Sequence, residues 1–298
     1  MKRSSPGSRL VGVLVAVTCC GFVGHALARQ WTLARRALAG ADLLWLAGGL
    51  AAAAGGMVVL GLVWGSALHV LGADTGWVTA VTTFFRGELG KYVPGGPWAV
   101  VGRSEMVTRT GVRRAVGYGS VVLSLLAGYV ACALVAIALL PVGLDLDRSR
   151  AVLWVVPVAV AGLVLLHPAP WRLGLRALGR HGDLHVPPPW RQTALLVIRA
   201  VPAWLLVGTA TWCAARALHA DVGYLRVLFA TAVSWLGGVL AVPVPSGVGV
   251  REAIFVAVAG PLPVGIAAAV AVTARLVFVV TDVVGAAIST LAARRRNP

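Results

Sequence analysis

The chain has 298 residues, of which 59% are hydrophobic and only 12% charged, and its formal net charge is +16. A soluble domain carries about 25% charged residues, so this composition excludes an ordinary soluble enzyme and predicts a membrane protein. The basic residues are scattered over helix ends and form no basic face, which favours membrane orientation and attraction to anionic lipid over nucleic-acid binding.

The long apolar runs predict an all-α polytopic membrane protein. They are rich in Ala, Leu, Val and Gly and lack the alternation of transmembrane strands. A crossing needs ~20 apolar residues, so we expect about six full transmembrane helices, at 10–28, 43–66, 115–140, 152–166, 193–213 and 264–291. The first resembles a signal peptide, but its apolar core is long for one, and we interpret it as a retained span.

Two further apolar segments are broken by proline and glycine and also carry charge. The breaks lie within 77–110, at Pro94 to Pro97, and within 225–260, at Pro243 to Gly249. A broken helix in a bilayer needs protein or a water-filled cavity to satisfy its backbone, and charge inside a membrane indicates a functional site. Both segments are therefore predicted to be re-entrant helical hairpins beside a binding site.

The order of these elements predicts two inverted repeats, 1–150 and 151–298. Basic residues at both ends place both termini in the cytoplasm, and the resulting topology has 14 basic residues in cytoplasmic segments and 7 outside. Each half then reads span, span, hairpin, span, and an odd number of crossings inverts the second half. Inverted repeats whose broken helices meet near the midplane are typical of secondary transporters.

The breaks also predict the chemistry of the site. A half-helix that begins in the membrane directs its first N–H groups and partial positive charge into the cavity, which makes an anion site. Arginine adds charge-assisted bonds to a lipid phosphate, while the acids neutralise these cations or bind a cationic head group. The candidate binding residues are Arg86, Glu88, Lys91, Tyr92, Pro94, Gly95, Gly96, Trp98, Arg103, Glu105, Pro245, Gly247, Gly249, Arg251, Glu252, Arg275 and Asp282.

A structural role for the same residues stays open. Arg275 and Asp282 are seven residues apart, so they share one helix face and are expected to face the same cavity. Alternatively, the pairs Arg251–Glu252 and Arg275–Asp282 only lock helices together. Tyr92 is better explained as an interfacial or packing aromatic than as a stacking platform, and so is Trp98.

Nothing in the sequence indicates an enzyme. It contains no GxxxxGK[ST] phosphate loop, no serine–histidine–aspartate set and no zinc-type cluster of histidine and cysteine. We therefore expect no catalytic residues, no metal and no cofactor.

The two broken segments resemble the signatures of the lysylphosphatidylglycerol synthase transmembrane-domain family, also called flippase-like membrane proteins. The run 89–98, followed by Arg103, is similar to the first signature, in the variant often found beside glycosyltransferases. The run 245–253 is similar to the second, with Ser246 where the family usually has glycine. Arg275 matches an arginine common in the last span, and the resemblance extends over almost the whole chain.

The resemblance implies movement of lipids between leaflets. The best-known member also carries a soluble aminoacyltransferase domain, which has no counterpart in this sequence, so lipid aminoacylation is not implied. We expect a lipid translocase of the bacterial plasma membrane that binds an anionic or zwitterionic head group, such as a phospholipid or a polyprenyl-phosphate-linked glycolipid. The alternative is a non-transporting accessory subunit for a glycosyltransferase that uses polyprenyl-phosphate sugars.

Overall fold

The computed structural model of the chain describes residues 39–93, 98–143, 148–167, 169, 188–240 and 249–296. Within these ranges the regular elements are helices, and no β-strand occurs. The α-helices are α1 (Leu43–Val70), α2 (Trp77–Glu88), α3 (Trp98–Thr108), α4 (Arg114–Ala138), α5 (Arg148–Leu166), α6 (Trp190–Ala217), α7 (Tyr224–Leu240), α8 (Val250–Val258) and α9 (Val264–Arg296). Short 3-10 helices follow α2 at Leu89–Tyr92 and α4 at Leu140–Gly143.

Four helices, α1, α4, α6 and α9, are long and apolar enough to cross a membrane. They coincide with four of the six predicted spans and support the class of multi-pass helical membrane protein. The predicted span at 152–166 coincides with α5, whose 19 residues make it shorter than these four helices. The predicted span at 10–28 lies outside the described residues.

The pair α1 and α6 packs antiparallel along its whole length. At one end the Asp42 N–H donates to the Ala217 carbonyl over 2.9 Å. At the other end Arg199 donates to the Ser66 hydroxyl over 3.2 Å. Between them, a Cβ at Gly56 would lie 3.3 Å from a carbonyl oxygen of α6, so small residues let the two backbones approach closely, as is common between membrane helices.

Each predicted hairpin segment contains two helices packed against each other, α2 with α3 and α7 with α8. We call these pairs hairpin 1 and hairpin 2. At ~1.5 Å per residue, α2, α3 and α8 are about 14 to 18 Å long, roughly half of the ~30 Å hydrocarbon core. The tips of the two hairpins, at 94–97 and 241–248, lie outside the described residues.

The remaining contacts join helices from one half of the chain to helices from the other half. Helix α9 packs on α1, α2 and α8, while α4 packs on α6, α7 and α3. Hairpin 1 therefore rests against the last helix of the second half, and hairpin 2 rests against α4 of the first half. These contacts bring residues from both halves to one site.

Buried tryptophans hold the centre of the bundle between α1, α4 and α6. The indole N–H of Trp64 donates to the Ser120 hydroxyl over 3.0 Å. The indole of Trp204 donates to the Gly128 carbonyl over 2.6 Å. Each ring buries its apolar surface while its polar end is satisfied, so the framework around the site is firmly packed.

Candidate functional site

In hairpin 1, the side chain of Arg103 crosses α2 at a glycine. A Cβ at Gly87 would lie only 2.2 Å from Cγ of Arg103, so a residue without a side chain is required there. The guanidinium lies over the Phe84 ring, 4.6 Å from its centre. It donates to Glu88 over 2.6 Å. Arg103 is only 4% exposed, and its charge is neutralised inside the hairpin.

Hairpin 2 repeats this arrangement with different residues. A Cβ at Gly238 would lie 2.2 Å from Cγ of Arg251. The Arg251 guanidinium stacks on the Trp235 ring, 3.4 Å from its centre. In each hairpin the aromatic residue precedes the glycine by three positions, one helical turn, so ring and glycine lie on the same face and receive the arginine together.

The two arginines differ in whether a carboxylate follows the glycine against which each one packs. Glu88 directly follows Gly87 in hairpin 1, whereas Val239 directly follows Gly238 in hairpin 2. In the described part of the chain, Arg251 forms no ion pair. Arg251 therefore keeps its charge and its hydrogen-bond donors for another partner.

A buried ionic cluster joins hairpin 1 to α9. The Lys91 ammonium contacts Glu88 and Asp282, each over 2.8 Å. The Tyr92 hydroxyl donates to the same Asp282 oxygen over 2.6 Å. Asp282 is fully buried, so the cluster holds its charge where an unpaired carboxylate would cost several kcal/mol.

A second ion pair joins hairpin 2 to α9. Arg275 of α9 donates to Oε1 of Glu252, and the Gly249 N–H donates to Oε2 of the same carboxylate over 2.7 Å. Gly249 has φ +84°, a conformation that glycine adopts easily. Glu252 lies in the first turn of α8, where its negative charge also complements the helix dipole.

A cavity of about 50 Å³ lies between hairpin 2, α9 and the end of hairpin 1. A water molecule needs ~10–15 Å³ of such space, so the cavity has room for a small polar group. Five of the residues proposed from the sequence line it: Lys91, Tyr92, Arg251, Glu252 and Arg275.

The other candidate residues lie outside the lining. Glu88, Arg103 and Asp282 belong to the ion pairs beside the cavity, and Gly249 begins α8. Arg86 and Trp98 have exposed side chains and do not line the cavity. Glu105 accepts hydrogen bonds from Arg114 and Tyr118 of α4, also away from the cavity. Pro94, Gly95, Gly96, Pro245 and Gly247 lie outside the described residues.

The ion pairs differ from both pairings considered in the sequence analysis. Glu252 pairs with Arg275 and not with the adjacent Arg251, and Asp282 pairs with Lys91 and not with Arg275. Seven residues keep Arg275 and Asp282 on one face but separate them by about 10 Å along the axis. Only Arg275 reaches the cavity, while Asp282 is covered by residues of hairpin 1.

Several lining residues were not found from the sequence. Trp235 supports Arg251, and the hydroxyls of Thr231 and Ser234 line the same wall of α7. Trp235 shares with Phe84 a position three residues before a glycine and ahead of a break, a spacing that also occurs at Trp45 and Gly48, while no sequence signal marks Thr231 or Ser234. Within the described ranges, no three histidine, cysteine, aspartate or glutamate side chains come together as a metal site requires.

The charges of the lining indicate the kind of group that the cavity suits. Lys91, Arg251 and Arg275 contribute three positive charges, and Glu252 contributes one negative charge. Arginine forms paired, charge-assisted hydrogen bonds with oxyanions. The site is therefore chemically suited to a phosphate or carboxylate group.

Comparison with known proteins identifies the family. The family model described as "Lysylphosphatidylglycerol synthase TM region" matches residues 9–289. A search of curated proteins finds no match. The family match extends from before α1 into α9 and includes both hairpins, so the chain belongs to the lysylphosphatidylglycerol synthase transmembrane-region family.

Proposed function

We propose that this family member is a lipid translocase that moves a phospholipid or a polyprenyl-phosphate-linked glycolipid between the leaflets of a bacterial plasma membrane. The observation that carries the proposal is Arg251, which lines a cavity inside a helical membrane bundle and has no ion pair among the described residues. A lipid phosphate would bind there while its tails stay in the bilayer. The protein supplies binding and access and performs no covalent chemistry.

The proposed architecture is two inverted repeats, 1–150 and 151–298, with both termini in the cytoplasm. The antiparallel packing of α1 on α6 supports it, because these helices hold the same place in each half, before a hairpin and a long helix. Equivalent helices that run antiparallel are related by an axis in the membrane plane. Hairpins of such repeats enter from opposite sides, as alternating access requires.

Helix α9 connects the two hairpins and is therefore central to the proposed motion. It is tied to hairpin 1 through Asp282 and Lys91, and to hairpin 2 through Arg275 and Glu252. A phosphate at Arg251 would compete with Glu252 for Arg275 and loosen hairpin 2 from α9. The link to hairpin 1 would hold meanwhile, so only one side of the cavity opens at a time.

An ion gradient or the lipid gradient itself would drive transport, since the sequence has no nucleotide-binding loop. The proposed proton carriers are Glu88, Glu105, Glu252 and Asp282. Transport that is unaltered after all four are neutralised would contradict this coupling.

Reconstitution in liposomes tests the proposed function. Fluorescent phospholipids and a polyprenyl-phosphate sugar would be followed from one leaflet to the other by chemical quenching. We expect the Arg251→Ala variant to lose at least about tenfold in exchange rate, the equivalent of ~1.4 kcal/mol. Arg109→Gln, which removes an exposed arginine after α3, is the matched control and should exchange normally.

Two results would redirect the proposal. Equal exchange by Arg251→Ala and the native chain would remove the cavity from the mechanism. The absence of exchange for every lipid, in protein that elutes as a folded species, would favour the accessory role beside a glycosyltransferase.

A further inference from the structure

The carboxylates around the cavity already have partners. Both oxygens of Glu252 are engaged, one by Arg275 and the other by the Gly249 N–H. The two oxygens of Glu88 accept from Arg103 and Lys91. None of these groups is available to a ligand ammonium without breaking an existing ion pair.

Asp282 is engaged through one of its two oxygens. One of its oxygens accepts from both Lys91 and Tyr92. The other has no hydrogen-bond partner in the described part of the chain, but the residue is fully buried and lies outside the lining. A ligand amine in the cavity would therefore meet the cations of the lining before it reached this carboxylate.

The cation on the opposite wall is arranged differently. The stem of Arg251 lies against Gly238, and its guanidinium carbon lies over the Trp235 ring, 3.4 Å from the ring centre. An arginine held in this way can offer paired hydrogen bonds to two oxyanion oxygens. Thr231 and Ser234 line the same wall one helical turn apart, and each hydroxyl donates to a backbone carbonyl of α7, so Arg251 is the hydrogen-bond donor that this wall offers to a ligand.

We infer that the cavity selects a lipid head group with a net negative phosphate and rejects head groups that carry an ammonium, whether zwitterionic or aminoacylated. This inference rests on the proposed function for its choice of a lipid as the occupant. The inference goes beyond the proposed function because it specifies the charge of the lipid head group. The physical reason is that Arg251 is a lining cation without an ion pair in the described chain, whereas Lys91 and Arg275 and the nearby carboxylates are already paired with one another.

Equilibrium binding in detergent tests this selectivity without any transport step. The full chain would be titrated with three lipids, and binding would be read by native mass spectrometry. The lipids are dihexanoyl phosphatidylglycerol, its lysyl ester and dihexanoyl phosphatidylcholine. We expect the anionic lipid to bind at least about tenfold more tightly than either ammonium-bearing lipid, the effect of one charge-assisted hydrogen bond. Equal or tighter binding of the ammonium-bearing lipids would overturn the inference.

Variants assign the selectivity to the cavity. Arg251→Gln should lower the preference for the anionic lipid about tenfold, and Arg251→Lys, which keeps the charge but not the paired hydrogen bonds, should lower it less. Val239→Glu places a carboxylate where hairpin 1 has Glu88, so it should neutralise Arg251 and abolish the preference. Arg109→Gln, with its exposed position, should leave it unchanged. Folded variants that all keep the native preference would place selectivity elsewhere and overturn the inference.

A tail-free probe separates lipid from soluble phosphate. Glycerol phosphate should bind at least tenfold more weakly than dihexanoyl phosphatidylglycerol, because it gains no burial of acyl chains. Binding of similar strength would overturn the lipid as occupant. Anion-selective binding without exchange in liposomes would contradict translocation and still support the selectivity, so the two proposals fail separately.

Discussion

The two hairpins use one arrangement for two purposes. In both, an arginine from the second helix packs against a glycine and over an aromatic ring of the first helix. Arg103 is buried against Glu88 and serves as a structural charge, whereas Arg251 lines the cavity without an ion pair in the described chain. The comparison teaches that the packing of the arginine is common to both hairpins, and that a neighbouring carboxylate decides whether its charge is available.

The largest effect is expected when the carboxylate of Glu88 is removed. Glu88→Ala leaves Arg103 buried without its ion partner, and removing one member of a buried pair typically costs ~3–5 kcal/mol. The thermal midpoint of the detergent-solubilised protein should fall accordingly. Arg251→Ala, which strands no acid, should lose only about 1 kcal/mol from the missing cation–π contact. Equal destabilisation by both variants would contradict the division of roles.

Filling the two glycine positions sharpens the comparison at intermediate size. A Cβ at either glycine meets Cγ of its arginine at 2.2 Å, and such overpacking costs ~1–3 kcal/mol. Gly87→Ala should mainly lower thermal stability, because Arg103 cannot shift without disturbing its ion pair. Gly238→Ala should mainly slow lipid exchange, because Arg251 can move off Trp235 at little cost to stability. Measuring both quantities on both variants checks the crossover, and identical profiles would refute it.

The smallest expected effect concerns the aromatic supports. Trp235→Phe keeps a ring but weakens the cation–π contact by ~0.5–1 kcal/mol, so lipid exchange should slow by a few-fold with little change in stability. Phe84→Leu removes the corresponding support of Arg103 and should leave the exchange rate nearly native. A larger loss of exchange in Phe84→Leu than in Trp235→Phe would reverse the assignment of the two hairpins.

Much of this protein follows from local sequence properties. Length and hydropathy predicted four helices that the structure describes as long enough to cross a membrane, and the proline and glycine breaks predicted where the helices α2 and α3, and α7 and α8, are interrupted. The motifs around Arg103 and Arg251 also predicted the family, which the match over residues 9–289 confirms. These properties depend on neighbours along the chain, so the sequence is sufficient to show them.

The partners of the charged residues could not be predicted in the same way. Lys91 meets Asp282 across 191 positions of the chain, and Glu252 passes over its neighbour Arg251 to pair with Arg275. Adjacent residues on a helix point about 100° apart, so adjacency in sequence opposes such pairing. The docking of both hairpins on α9 decides the partners.

By itself, the sequence determined the class of the protein, the position of its breaks and the residue types that bring charge into the membrane. The tertiary structure alone decided which of those charges neutralise one another and that Arg251 has no ion pair among the described residues. The physical reason is that helix formation and membrane burial are set by short-range composition, whereas ion pairing inside a bundle depends on helices that are distant in sequence. That is why Arg103 has an ion pair, whereas the similarly packed Arg251 has none in the described chain.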